Sequence, residues 1–446
     1  MKKNYSTIIF LFLQIISLNV FSQTKTFKIF DQVLFYDGYA KISTEPVPEG
    51  IIRLRNDLYT TKLSDTQLQS IGSSLTAKIT IKASCDNYDR IGNLNLALVP
   101  KNAATYNPNE VQRIELGRFI TPFMNKNKTP DQVPYEFNIN NITSVFKDTK
   151  ILETFDLWLE LEVFGVPYSA RTEIAGCAGR SDVFYGTVEF ITNSTIFTSE
   201  DNFLLPLNFK KNLNNYQAGA SDAIGTTDRT IIFDVPNDLT GVKLYLITSN
   251  HGAGTNGEEY SRRDHYTYFD NVAKSQYKPG EPSCEPYRVY NTQGNGIYGP
   301  APKSNPQWQS FSNWCPGSKI PTRTITIGNL SAGEHSFKIS VPDAVFYNKD
   351  GYFPVSLYLQ GKSTSTLGLN DYKITDYSLY PNPTNDIIKI DTSDEVKTVT
   401  IYDILGKKIL TQNSNKIDLT NVDPGAYLAV ITFANGKTVS EKIIRN

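Results

Sequence analysis

Histidine is scarce in this 446-residue chain, and the three present (His251, His265 and His335) leave little room for chemistry that depends on imidazole. No His-Glu-x-x-His pair, no Gly-x-Ser-x-Gly elbow and no phosphate-cradling glycine loop occurs, which disfavours a zinc peptidase or a serine hydrolase. An excess of charge of one sign is missing too. With 44 basic and 45 acidic residues and a net charge of −1, there is no field to steer nucleic acid or an anionic membrane surface. Beyond the first two dozen residues no apolar run approaches the ~18 residues that a membrane-spanning helix needs. Cysteine is limited to Cys85, Cys177, Cys284 and Cys315, and no two of them stand at metal-ligand spacing, so a four-thiolate zinc site is disfavoured. Carboxylates remain as the means of activating water.

What is present begins with a leader. Lys2 and Lys3 precede a nearly unbroken apolar stretch from Ile8 to Phe21, and Ser22 and Gln23 then open polar sequence. This is the pattern of a secretory signal over residues 1–22, too short for a membrane span. An exported chain meets an oxidising compartment, so the even cysteine count predicts two disulfides, with three pairings open. Alternation of period two dominates the rest. Leu75, Ala77, Ile79, Ile81 and Ala83 alternate with more polar residues, as do Val242, Leu244 and Leu246, and Ile325 and Ile327. Turn-forming Gly, Pro, Asn and Asp punctuate these runs at short intervals. The rhythm predicts antiparallel β-sandwiches and an all-β protein. The 12% aromatic content suits strands, and it also suits surfaces that stack on sugar rings.

A Ser/Thr-rich passage from Ser363 to Leu367 reads as a linker over 363–374, leaving 375–446 as a small β module. Within it, strand-like Tyr427 to Phe433 and Lys437 to Ile444 flank Ala434-Asn435-Gly436, a hairpin signal because Asn and Gly both tolerate positive φ. Tyr380-Pro381-Asn382-Pro383-Thr384, Ile401-Tyr402-Asp403 with Gly406-Lys407, Leu419, Pro424-Gly425-Ala426-Tyr427 and the closing Val439 to Arg445 follow in order. The module resembles the type A sorting domain of the Bacteroidota type IX secretion system. The resemblance implies passage across the outer membrane, to a secreted or surface-held product, with the secretion machinery as partner.

Two segments concentrate polar groups beside strand-like sequence: Cys85-Asp86-Asn87-Tyr88-Asp89-Arg90, and the glycine-rich run from His251 through Glu258, Glu259, Tyr260, Arg262 and Arg263 to His265. By themselves they read as turn chemistry and a solvated loop. With Gly117-Arg118-Phe119-Ile120-Thr121-Pro122, Phe184-Tyr185-Gly186-Thr187, Trp314-Cys315-Pro316-Gly317 and Pro321-Thr322-Arg323 they resemble the peptide:N-glycosidase F family over roughly Phe27 to Gln360. The resemblance implies two antiparallel jelly-roll sandwiches, over 23–200 and 201–362, with an active site at their junction. It implies hydrolysis of the glycosylasparagine amide of N-linked glycopeptides or glycoproteins, with no metal or organic cofactor and no nucleic acid, and a monomer is expected.

By the same resemblance Asp89 is the main catalytic carboxylate, Arg90 its basic neighbour, and Glu259 the acid from the second sandwich, with His265 six residues further on. Glu162, in Asp156-Leu-Trp-Leu-Glu-Leu-Glu162-Val-Phe164, falls on the family's sugar-fixing glutamate, and a slip of two residues would nominate Glu160 instead. His251, Tyr260, Trp314 and Phe164 complete the expected substrate-binding set. The resemblance also implies a Cys284–Cys315 disulfide and with it Cys85–Cys177. There are departures. Family tryptophans become Ser249 and Phe164, a family arginine becomes Phe311, and a tight disulfide around the second-sandwich glutamate is lost at Gly257 and Ser261. Catalytic acids that persist while the glycan-binding wall changes imply altered substrate preference. A non-catalytic glycan-binding surface protein of the same fold is the alternative, and a carboxylate-pair glycosidase is a third reading.

Overall fold

A computed structural model describes residues 24–193, 203–214, 227–254, 257–346, 350–363 and 374–446. The expected signal peptide and nearly all of the expected linker lie outside these residues. The protein is built of antiparallel sheets, and the alternating runs become their strands. Leu75–Ala83 buries every second side chain against the core, as its pattern predicts.

The first sandwich packs a four-stranded sheet (Thr24–Tyr36, Asp182–Asn193, Leu75–Ala83, Gln132–Asn138) on a six-stranded one. The latter runs Lys319–Ile320, Gln112–Ile120, Ile91–Pro100, Phe155–Val163, Leu58–Lys62, Ile51–Arg55. A large apolar cluster that includes Ile79, Leu96, Phe119, Leu159 and Phe190 fills the space between the two sheets. The second sandwich opposes Phe203–Leu213, Phe353–Ser363, Leu239–Thr248 and Arg323–Leu330 to a seven-stranded sheet. That sheet begins Val272–Tyr277, His265–Phe269, Gly333–Ser340, Asp228–Val235 and continues through Ile374–Tyr380 into the C-terminal module. Among the described residues no helix is long and apolar enough to cross a membrane.

The Asn-Gly hairpin forms, but by a different turn. Gly425–Phe433 pairs with Thr438–Arg445. Gly436 alone takes positive φ (90°), with Gly436 N–H on the Phe433 carbonyl and Phe433 N–H on the Lys437 carbonyl. That is a four-residue turn closed by a glycine bulge, and Asn435 is released to hydrogen-bond Thr375 at 2.6 Å. Both implied disulfides are present, Cys85–Cys177 with Cα atoms 5.5 Å apart and Cys284–Cys315 at 5.3 Å.

The two sandwiches are joined across a polar, buried seam. Lys319–Ile320, from the second half of the chain, pairs with the edge of Gln112–Ile120 in the first. A bulge sits in that edge strand, for Asn95 faces Glu115 while Leu94 faces Gly117. The extra residue puts Glu115 and Arg118 on one face, where simple alternation would set them on opposite faces. Arg118 is 1% exposed. Its Nε and Nη2 donate to the two Glu115 oxygens at 2.8 and 2.7 Å, and Nη1 donates to Ser249 Oγ and the Pro354 carbonyl, both at 2.8 Å. Ser356 Oγ donates to Glu115 from the second sandwich.

Removing the guanidinium would strand a buried carboxylate, and breaking such a pair costs about 3–5 kcal/mol. Arg118→Ala is expected to lower the urea midpoint accordingly. Arg118→Lys is expected to recover little, since an ammonium cannot supply the planar four-bond fork.

Candidate active site at the junction of the sandwiches

A cleft of about 670 Å³ opens between the sandwiches, and Asp89, Glu162, Phe164 and Arg118 line it from one side, Glu259 and Tyr260 from the other. The segment that carries Asp89 leaves the strand Leu75–Ala83 and is stapled at Cys85 to Cys177. Buried Asp86 organises it, accepting from Tyr88 N–H at 2.9 Å, Val166 N–H at 2.7 Å and Arg90 Nε at 2.7 Å. Thr121, next to the Arg118 strand, holds Arg90 by a 2.8 Å bond from the Arg90 N–H to its hydroxyl. The guanidinium of Arg90 therefore pairs with Asp86, not with Asp89, and lies 5.0 Å over the Tyr88 ring. Among the described residues Asp89 has no ion-pair partner.

Glu259 sits on the one-turn helix Glu258–Tyr260, behind the glycine-rich loop. Gly252 starts that loop at φ 130°, and a Cβ there would come within 2.5 Å of the Gly351 Cα, so the crossing of the two backbones requires glycine. The main chain of His251 bonds that of Tyr352 on either side of the crossing. Thr255 and Asn256 lie outside the described residues. At the positions of the missing family disulfide, hydrogen bonds hold the turn. Asn313 Nδ2 donates to the carbonyls of Glu258, Glu259 and Ser261 at 2.7, 2.7 and 3.1 Å. Glu258, fully buried, accepts from Arg263 at 3.0 and 3.1 Å and from Val345 N–H at 2.8 Å. Glu258 thus anchors the turn while its neighbour Glu259 faces the cleft.

Glu259 is buried and Asp89 half-buried at the wall of the cleft. Burial raises Glu259 to about 7, against hydrogen bonds from the Tyr260 hydroxyl and Gly252 N–H. Burial first, and then the charge of Glu259, pushes Asp89 up to about 8 despite the Arg90 cation. One of the pair ionises near neutrality, and its charge then keeps the proton on the other. Glu162 differs. Burial acts to raise it, but Lys210 at 2.5 Å and Arg55 at 2.9 Å outweigh that and hold it below the usual glutamate range. Glu160, two residues earlier on the same face, is fully buried against Asn95, Tyr106 and Arg113 and does not reach the cleft.

His251 is buried with Nε2 2.7 Å from Ser249 Oγ, and burial followed by the Arg118 charge lowers it to about 3, so its ring is neutral. Its ring stacks on Tyr352 at 5.3 Å. Trp314 is 6% exposed and donates from Nε1 to the Asn250 carbonyl at 2.9 Å, so only an edge of it reaches the cleft. Phe164 meets exposed Tyr39 edge-on at 5.2 Å. His265 is not brought to the site, being packed between Tyr277 and Phe353. Lys210, Arg55 and Asn313 were missed by sequence reasoning, and no local pattern distinguishes them from other polar residues of the chain. Among the described residues no three His, Cys, Asp or Glu side chains converge as a metal site requires.

Comparison with known proteins follows the same division. Residues 26–178 match the family model "Peptide-N-glycosidase F, N terminal", 220–360 match "Peptide-N-glycosidase F, C terminal", and 378–446 match "Secretion system C-terminal sorting domain". The peptide-N(4)-(N-acetyl-beta-D-glucosaminyl)asparagine amidase F of Elizabethkingia miricola is 23% identical over 367 residues, covering 77% of this chain and 85% of that protein. A beta-agarase D of Zobellia galactanivorans is 32% identical over 93 residues, 20% of this chain and 17% of its own. Among solved structures, PNGF-II superimposes with a TM-score of 0.55 at 20% identity, over 77% of this chain and 66% of that one. A crystal structure of the amidase superimposes at 0.50 and 17% identity, over 79% and 99%. These likenesses show a shared fold.

A carboxyl whose pKa in the folded protein lies above its unfolded value is no burden below about pH 4 and a growing one as pH rises through its folded pKa. Asp89→Asn is therefore expected to leave the melting temperature nearly unchanged at pH 4 and to raise it at pH 9, by a margin worth a few kcal/mol. Equal shifts at both pH values in thermal scans would contradict the desolvated carboxyl described above.

Proposed function

Since the chain belongs to the peptide-N-glycosidase F family and carries a secretion-system sorting domain, we propose that it is an exported amidase that cleaves the glycosylasparagine bond of N-linked glycopeptides or glycoproteins. Type IX secretion delivers it to the cell surface or beyond. The observation that carries the reading is the Asp89–Glu259 pair. Two carboxyls from different sandwiches line one cleft, and burial raises both, Asp89 to about 8 and Glu259 to about 7.

Amide hydrolysis needs both forms at once. Water adds to the side-chain carbonyl carbon as its proton passes to the ionised carboxylate, and the protonated partner gives its proton to the leaving nitrogen as the C–N bond breaks. The products are a glycosylamine, which decays to free glycan, and a peptide with Asp in place of Asn. Arg90, fixed by Asp86 through Nε and Nη2, keeps further N–H donors for oxyanion charge developing at the carbonyl. Glu162, ionised and braced by Lys210 and Arg55, presents an acceptor to the hydroxyls of the first sugar. Phe164, Tyr260, His251 and the edge of Trp314 shape the apolar wall around it. Because the acids come from separate sandwiches, the rigidity of the junction becomes part of the mechanism.

Incubation of the protein with a glycopeptide bearing one N-glycan is expected to give free glycan and a peptide ~1 Da heavier than its unglycosylated form, by the amide-to-acid change. Asp89→Asn is expected to abolish the product. Glycans left intact across high-mannose, complex and core-fucosylated substrates would replace the amidase by a glycan-binding protein of the same fold, and a sugar left on the peptide would indicate a glycosidase. The rate is expected to follow a bell with limbs near pH 7 and pH 8, set by the two carboxyls. Glu259→Gln, in its residual activity, is expected to move the remaining limb down, since the charge that raises Asp89 is gone.

A further inference from the structure

The strand Asp228–Val235 would be an edge of the second sandwich but for the C-terminal module. Its other side is taken by Gly333–Ser340. On this side the first strand of the module, Ile374–Tyr380, pairs antiparallel, with Thr230 opposite Tyr377, Ile231 opposite Asp376, Ile232 opposite Thr375 and Phe233 opposite Ile374. The apolar exchange is reciprocal. Ile232 is buried in the module's own core, and Ile374 packs on the core of the second sandwich.

Charges fix the register at both ends of this seam. Arg229, 1% exposed, donates from Nη1 to Asp376 and from Nη2 to Asp391, each at 2.7 Å, and Lys211 reaches Asp376 at 2.5 Å. At the far end Lys437 of the module bonds Asp234 and Glu334 of the sandwich, both at 2.8 Å. Cations of the sandwich thus meet acids of the module at one end, and the polarity reverses at the other. Such an arrangement favours one strand, in one direction, over others.

We propose that the Asp228–Val235 edge is a strand-acceptor site for the first strand of the sorting module, and that it retains the module without help from the covalent link. Cutting the chain between Ser363 and Ile374 then leaves module and enzyme together. Release requires a competitor that takes over the strand or the Arg229 cluster. The dock also covers a sheet edge and an apolar Ile232 that would otherwise be open to a second chain. Nothing in this depends on whether the cleft is an amidase.

The test uses the full chain with a protease site inserted between Ser363 and Ile374, cut to completion and run on gel filtration at micromolar concentration and moderate salt. Both fragments are expected in one peak. Arg229→Ala, and separately Asp391→Asn on the module side, are expected to split that peak in two after cutting, while uncut protein runs as before. Separation of the unsubstituted fragments would overturn the proposal, and so would variants that stay together as well as the parent. Should either variant fail to fold, hydrogen exchange on the intact, unsubstituted chain decides. Slow exchange within residues 374–376 supports the dock, and exchange at the rate of an unpaired strand overturns it.

Discussion

One guanidinium connects the two acids on which the site depends. Arg118 gives two donors to Glu115 in its own strand and two more to Ser249 and Pro354 across the junction. Three residues beyond it Thr121 clamps the backbone of Arg90, beside Asp89, and two residues beyond Ser249 the His251 main chain leads into the loop whose Gly252 N–H points at Glu259. A buried ion pair contributes little net stability when set against an apolar core of the same volume, but it tolerates few alternative geometries. Here that intolerance sets the position of one sandwich against the other. Ser249 stands where the family resemblance expects a tryptophan, and it is the residue that accepts the Arg118 N–H and hydrogen-bonds His251.

The site also shows how environment alone separates carboxylates. Asp86, Asp89, Glu162 and Glu259 lie near one cleft. Asp86 and Glu162 are committed to cations, by ion pairs at 2.7 Å to Arg90 and at 2.5 Å to Lys210, and serve as fixed anchors. Among the described residues Asp89 and Glu259 have no ion-pair partner and burial raises both, as it also raises Asp86 against the pull of Arg90, while Glu162 alone is held low by its cations. A group that gives and takes protons near neutrality must be destabilised in its charged form, so the same desolvation that suits it for catalysis works against folding. The buried turn around Glu259, where the family resemblance expects a disulfide, is held by three carbonyl contacts from Asn313.

Much of this protein was legible along the chain. Period-two burial is a local property of strands, so Leu75–Ala83 and Val242 to Leu246 declared themselves without knowledge of their neighbours. Segments 85–90 and 314–317 each carry one disulfide cysteine and 117–122 ends a strand, and the family was recognisable from these motifs as the sorting module was from its own between 380 and 445. The Asn-Gly signal found the hairpin, while the turn type depended on Asn435 being drawn to Thr375 in another strand.

What tertiary structure alone decided concerns partners far apart in sequence. Glu160 and Glu162 share a strand face by alternation, so no pattern could choose between them. The choice is made by Tyr106 and Arg113, which cover Glu160, and by Lys210, which arrives from the other sandwich to meet Glu162. Arg90 follows Asp89 in the chain yet turns to Asp86, because the loop folds back on the carboxylate that also holds Val166. Sequence determines which residues can be strand, turn or acid, since those preferences act over a few bonds. Which acids stay dry, which are neutralised and which face each other is set by packing between distant segments, since desolvation and Coulomb energy depend on distance in space.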